Sequence, residues 1–303
     1  MKSKVDTLRT RGWRAREDLI GYLMLLPAFV PYLLFAIIPI GWLVYHSFFR
    51  WNGYTDPVFI GVDNFARVLR DDQWWGSVLT TLIYGGGRLL IEIPVGLGLA
   101  YIMFRGIRGA HALRTFYFLP HVLAPAIIGI IFSFFLAEVG GPLNQFLMGL
   151  GLTDNAINFL GDAQNALRSI IGVGSWANVG IIMLLFFAGL TQIPKEVMES
   201  AALEGAGEWK LFRHIVLPML APMTRIVILI TIIGILRSFD IVKTLTDGGP
   251  AGATEVMFTH LYRFFFNPDT IPQIGYAAAL GVVASVIIAI VALVHLRLSR
   301  EGK

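Results

Sequence analysis

Six apolar runs, each long enough to cross a bilayer, constrain this chain more than any other feature. They lie at roughly 20–49, 77–104, 115–136, 169–190, 222–246 and 274–297. About 20 mostly apolar residues suffice for a helix to span the hydrocarbon, whereas a buried strand needs far fewer. Proline and glycine interrupt several runs, with Pro27, Pro31 and Pro39 in the first and Gly85 to Gly87 and Pro94 in the second. Such breakers are tolerated in spans, where neighbouring helices re-satisfy the freed backbone groups. Composition agrees, since only 15% of the residues are charged, against about a quarter in a soluble domain. The expected fold class is all-α, a polytopic membrane protein with six transmembrane helices over 20–297.

Lys and Arg in the short loops set the orientation. With the N-terminus inside, the inner segments carry fifteen of them, including Lys2, Lys4, Arg9, Arg105, Arg108, Lys195, Lys210 and Arg213. The outer loops carry five: Arg50, Arg67, Arg70, Arg168 and Arg263. The N-terminal segment 1–19, the C-terminal tail 298–303 and the loop at 191–221 are therefore expected on the cytoplasmic side. A net charge of +4 is too small to suggest nucleic acid as a partner. The absence of cysteine excludes disulfides and thiolate metal sites. The apolar run after "RTRGWRARED" is too long for the core of a cleaved signal and lacks a small-residue cleavage site.

The outer loops carry structure of their own. "GGPLNQFLMGLGL", Gly140 to Leu152, reads as a short helix with Pro142 in its first turn and Gly151 past its end. Thr254 stands as an N-cap before Phe258, Tyr262, Phe265 and Phe266, which share one apolar face. That face fits either an interfacial anchor or a docking surface for an external partner. In the last run Ala277, Gly281, Ser285 and Ala289 recur four apart, a spacing that lets two helix backbones approach within this subunit or against a second one.

The stretch "ESAALEGAGEWKLFRHIVLP", Glu199 to Pro218, interrupts this apolar pattern. "PKEVMESAAL" is a good helix, with proline in the first turn and acidic residues early. Gly205 and Gly207 should turn the chain, and "EWKLFRHIVLP" starts a second helix running towards Pro218. Trp209, Phe212 and Val216 give it one sticky side. A solvated loop needs less structure, and a membrane-surface helix would favour more lysine. A short rigid element that plugs into a cytoplasmic partner fits best.

Glu199, Ala201, Gly205, Ala206, Phe212, Ile215, Leu217 and Pro218 stand at the spacing of the EAA motif, roughly E-A-A-x-x-D-G-A-x5-F-x-x-I-x-L-P. In this the chain resembles the permeases of binding-protein-dependent ABC importers, departing mildly at Ser200 and Glu204. "FIGVDNF" (59–65), "NFLGD" (158–162) and "LTDGGPAGATEV" (245–256) look like the sugar-type branch, which includes maltose, oligosaccharide and glycerol-3-phosphate importers. The resemblance implies the type I importer permease fold in a bacterial or archaeal cytoplasmic membrane. It also implies a second homologous permease subunit, an ATPase subunit dimer holding ATP and Mg²⁺, and an extracytoplasmic solute-binding protein, besides membrane lipid. In that family the helix–turn–helix is the coupling element, which makes Glu199, Ala201, Glu204, Gly205, Ala206, Phe212, Leu217 and Pro218 the expected ATPase-coupling residues.

Polar groups within spans are costly and mark pathways. Aligned through "LTDGGP" and "GLTQIP", Asn178, Ile181, Thr231, Gly234, Ile235 and Ser238 resemble the sugar-lining positions of the maltose-type permease. With Trp176 and Arg237 they form the expected substrate pathway, since hydroxyl and amide groups beside a tryptophan suit a sugar. Interhelical hydrogen bonding is the other use for them. Arg237 and Asp240, three apart, can pair with each other, or Arg237 can meet an anionic substrate. Arg88 and Glu92 read as a structural pair, and His121 and His295 as packed residues. No phosphate loop G-x-x-x-x-G-K-[ST] and no H-E-x-x-H occurs, and Ser175 has no histidine partner. Neither a catalytic site nor a cofactor or metal is expected in this chain, so ATP hydrolysis falls to another polypeptide. The competing class, an autonomous ion-coupled transporter, would depend on Glu92 and Asp240.

Overall fold

The computed structural model describes residues 21–267 and 269–301. In chain order these form α1 (Gly21–His46), β1 (Phe49–Arg50), β2 (Val58–Phe59), α2 (Asp63–Leu69), α3 (Asp72–Phe104), α4 (Ala110–Val122) and α5 (Pro125–Phe135). Then follow α6 (Pro142–Gly149), α7 (Ala163–Leu190), α8 (Lys195–Leu203), α9 (Glu208–Leu236), α10 (Asp240–Leu245), α11 (Met257–Phe266) and α12 (Ile274–Glu301). Among the described residues, helices α1, α3, α7, α9 and α12 are each long and apolar enough to span a bilayer, and α4 with α5 passes the same test as a bent pair, which brings the number to six where the pair counts as one span. The segment 1–19 lies outside the described residues.

Two of the six runs depart from the simple expectation. The third is not one straight helix over 115–136, because α4 and α5 are bent by 98° at residues 123–124. Leu123 and Ala124 are both extended there, with ψ 144° and 133°. Pro125 causes this, since its ring disfavours helical geometry in the residue before it. The fifth run, expected over 222–246, begins much earlier at Glu208 and ends at Leu236, with α10 resuming after a break. The second helix of the expected helix–turn–helix is therefore the start of a span. Pro218 does not stop it, because the turn Phe212–Val216 widens to a π-turn in which the Leu217 N–H donates to the Phe212 carbonyl. A π-turn moves the ladder by one residue and leaves room beside a proline that has no N–H of its own.

The chain divides into two compact units. Of the described residues, the first contains 21–68 and 271–282. In it β1 and β2 pair antiparallel, Phe49 opposite Phe59 and Arg50 opposite Val58. Asn64 of α2 donates to the Ser47 and Phe49 carbonyls, both at 2.9 Å, and so ties α2 to the ribbon. The Arg67 guanidinium donates to Gln273 at 2.5 Å and lies 3.8 Å over the Tyr276 ring. No residue of the α1 span is buried.

Of the described residues, the second unit contains 69–267, 269–270 and 283–301. Helices α3 and α7 are its spine, with α4, α5, α9 and α10 packed on them. Asp71 caps α3 by accepting from the Gln73 and Trp74 N–H groups, and Asp162 caps α7 in the same way through Gln164 and Asn165. At Gly180 an added Cβ would strike the Tyr117 carbonyl and lie 2.8 Å from Phe118 Cα, so α4 crosses α7 at backbone distance. Two apolar clusters fill the unit. One gathers Tyr84, Ile170, Val173, Ala177 and Ile235, and the other Ala100, Met103, Met183, Phe186, Leu220 and Val227. Tyr84 and Ala100 are about 24 Å apart along α3, so the clusters occupy opposite ends of the bundle.

The loop helices partly follow expectation. α6 has Pro142 at its start, and Gly151 beyond its end has φ +69°. Thr254 does not cap α11. Its hydroxyl bonds the Gly249 carbonyl at 2.5 Å and the Thr246 hydroxyl at 2.7 Å, and Val256 is the N-cap instead. On α11 the buried face is Met257, Thr259 and His260, while Tyr262 stacks on Phe239 at 5.0 Å. The four-residue row on α12 is split, with Ala277 and Gly281 buried and Ser285 and Ala289 exposed.

Candidate functional site

The turn between α8 and α9 is built from its last backbone bonds. The Glu204 N–H donates to the Ser200 carbonyl at 3.1 Å, and the Ala206 N–H reaches back to the Ala201 carbonyl at 3.0 Å. Gly205 between them has φ +79°. This is a Schellman closure, in which the residue past the cap must be left-handed and the next N–H satisfies a carbonyl five residues back. It supplies a physical reason for the alanine and glycine spacing of the motif. Ala201 is buried beneath the turn, while Glu199, Glu204, Gly205 and Pro218 are exposed and Ala206, Phe212 and Leu217 half-buried. Leu203 and Trp209, on the two sides of the turn, are 90% and 68% exposed.

The start of α9 is anchored from within the unit. Glu208 pairs with Arg105 and accepts from Tyr101 Oη at 3.2 Å, and Phe212 packs on the Tyr101 ring at 4.7 Å. The end of α3 thus holds the start of α9. Nothing in the sequence pattern announces this contact, because the partners are 103 residues apart.

Between the two apolar clusters lies a cavity of about 380 Å³. Asn178, Ile181, Thr231, Gly234, Ile235, Arg237 and Ser238 all line it, as do Tyr84, Arg88, Glu92, His121, Phe239 and Asp240. Arg88, at the midpoint of the 33-residue α3, is in its wall. Its Nε donates to Glu92 at 2.6 Å, and its Nη1 reaches Tyr84 Oη at 3.1 Å and Ser238 Oγ at 3.4 Å. Asn178 and Thr231 bond carbonyls of their own helices, at Gly174 (3.0 Å) and Val227 (2.7 Å). Among the described residues, Ser238 is the expected pathway residue that bonds across to another helix, at Arg88.

Three details differ from the sequence reading. Ser238 follows the end of α9 rather than continuing its face, yet its hydroxyl still borders the cavity. Trp176 is not in the cavity wall, because it points to α5 and meets Phe132 edge-on at 5.2 Å. No ion pair joins Arg237 to Asp240 among the described residues. His295 lies elsewhere, 3.1 Å from the Arg225 carbonyl. Arg88 and Glu92, expected as a structural pair, do pair and also border the cavity, as does Asp240. No signal in the sequence marked His121 and Phe239 for its wall.

Residues 92–301 match the family described as the inner membrane component of binding-protein-dependent transport systems. The chain is 33% identical over 291 residues to the "Probable ABC transporter permease protein YurN" of Bacillus subtilis, covering 95% of this chain and 98% of that one. It is 29% identical over 297 residues to the trehalose/maltose transport system permease protein MalF of Thermococcus litoralis, with 98% and 99% covered. Its fold matches a chain from the crystal structure of a bacterial ABC transporter that imports the acidic polysaccharide alginate. There the TM-score is 0.81 at 24% identity, over 96% of this chain and 99% of that one. With the break between α4 and α5, the cavity beside Arg88 and the Schellman-closed turn, this protein belongs to the inner membrane permeases of binding-protein-dependent ABC importers.

Proposed function

We propose that the chain forms one half of the pathway of an ATP-driven importer for a sugar or sugar derivative. A second permease, an ATPase dimer and an external solute-binding protein complete the assembly. Membership in a binding-protein-dependent family favours this over an ion-coupled transporter. The observation that carries the coupling role is the pair Leu203 and Trp209, exposed on either side of a turn fixed by backbone bonds. Apolar side chains presented on a rigid wedge suit a groove in a partner protein. ATP closure would move the wedge, and α9 would carry that movement to the cavity, since the helix runs unbroken from Glu208 to the wall residues Thr231 and Ile235.

The cavity suits a sugar. It offers amide, hydroxyl, guanidinium and carboxylate groups beside the apolar faces of Ile181, Ile235 and Phe239. Replacing Asn178 by leucine is expected to raise the KM for uptake about tenfold, the loss of one or two hydrogen bonds to substrate. Uptake kinetics in cells that keep the assembled complex measure it, and wild-type kinetics would remove Asn178 from the pathway.

The positive-inside bias puts both termini and the α8–α9 turn in the cytoplasm. Single cysteines at the exposed Gln164 and Asp269 should label with an impermeant thiol reagent in intact cells, and one at Glu204 only after lysis. Asn64 is a poor probe because its amide is committed to the β1 backbone and its neighbour Ser47. The reverse labelling pattern would invert the topology.

A further inference from the structure

Trp176 leaves the transport cavity for a second crevice, of about 430 Å³, within the same unit. Phe132, Phe135, Phe159, Val173 and Trp176 make its apolar wall, and Arg168 is exposed at its polar end. The other polar side chains there are already engaged. Ser169 Oγ donates to the Phe159 carbonyl at 3.0 Å, and Asn165 Nδ2 to the Asn158 carbonyl at 3.3 Å. Arg168 has no carboxylate partner among the described residues.

Position along the span decides what fits. Arg168 falls within the first two turns of α7, at the level where a spanning helix leaves the headgroups. Trp176 is eight residues further, about 12 Å deeper, within the roughly 15 Å half-thickness of the hydrocarbon. Phe135 and Trp176 each leave 40% or more of their surface uncovered at that depth. An occupant must therefore be apolar for most of its length and anionic at the end that meets Arg168. A guanidinium matches phosphate oxygens in a planar, two-pronged contact.

We propose that this crevice binds one acyl chain of an anionic phospholipid whose phosphate rests on Arg168. Charge complementarity selects the headgroup, and the aromatic wall takes the chain. The inference rests on the chain spanning a bilayer and not on the identity of the transported solute.

Gly172 supplies a clean test. It lines the crevice, and an added Cβ there meets nothing within 4 Å, so Gly172→Leu fills the space without moving backbone. The full chain, purified from mixed micelles of phosphatidylcholine and phosphatidylglycerol, is examined by native mass spectrometry for retained lipid. Phosphatidylglycerol retention is expected to fall about tenfold in Arg168→Gln, the weight of one charge-assisted contact. It should be lost in Gly172→Leu, with unfolding temperatures in lipid-free detergent unchanged. A phosphatidylglycerol carrying a photoreactive acyl chain should label the peptide containing Trp176 in the wild type and not in Gly172→Leu. Wild-type retention in both variants overturns the proposal. So does equal loss of both lipids in Arg168→Gln, or a photocrosslink from position 172 to a second protein chain in the assembled transporter, which would show protein covering the crevice.

Discussion

Replacing Gly205 by valine is expected to reduce uptake to about a tenth of wild type or less while the membrane helices remain inserted. The effect is conformational. Gly205 has φ +79°, and an added Cβ would meet nothing within 4 Å, so no steric clash complicates the substitution. A left-handed backbone costs an L-residue about 1–2 kcal/mol, and a β-branched one more. Valine would therefore shift the turn away from the Schellman geometry, releasing the Ala206 to Ala201 bond and misdirecting Leu203 relative to Trp209. Asparagine, which tolerates left-handed backbone, should retain most activity. Uptake in cells, co-purification of the ATPase and ATP turnover stimulated by loaded binding protein measure the effect. Wild-type values in Gly205→Val would reduce the segment to a connecting loop.

The second large effect is expected at the Arg88–Glu92 pair. Both side chains are buried, at 7% and 0% exposure, and Nε and Oε1 are 2.6 Å apart. Removing one partner strands the other charge inside the bundle, a loss of about 3–5 kcal/mol. Glu92→Leu alone should therefore cut the yield of folded protein sharply and lower its unfolding temperature in detergent by many degrees. The double variant Arg88→Met with Glu92→Leu should recover most of that stability, because two apolar side chains of similar length remove the desolvation cost along with the attraction. Recovered stability without recovered uptake would give the pair a transport role besides its structural one. A single variant as stable as wild type would mean that water reaches the pair.

The spans were legible because a bilayer accepts little else than long apolar helices, so length and composition alone locate them. Gly205, Ala201 and Ala206 were legible for a related reason, since a Schellman closure is a local device whose residues lie within one turn of each other. The cavity was only partly so. Asn178, Thr231 and Ser238 are polar within apolar runs and stood out, but Trp176 was drawn in by proximity in sequence. Two residues before Asn178 on a helix point some 200° away, and that rotation carries Trp176 to Phe132 instead.

By itself the sequence determined the all-α membrane class, five of the apolar spans, the glycine turn and the family motif. Each follows from composition or from spacing within a single helix. Tertiary structure alone decided where the third span breaks, how far α9 continues past Pro218, and that Glu208 is held by Arg105 and Tyr101. It also decided which polar residues share one cavity. These depend on groups brought together from distant parts of the chain, and on proline effects whose outcome, a 98° break at Pro125 but a π-turn before Pro218, is set by surroundings that no local pattern encodes.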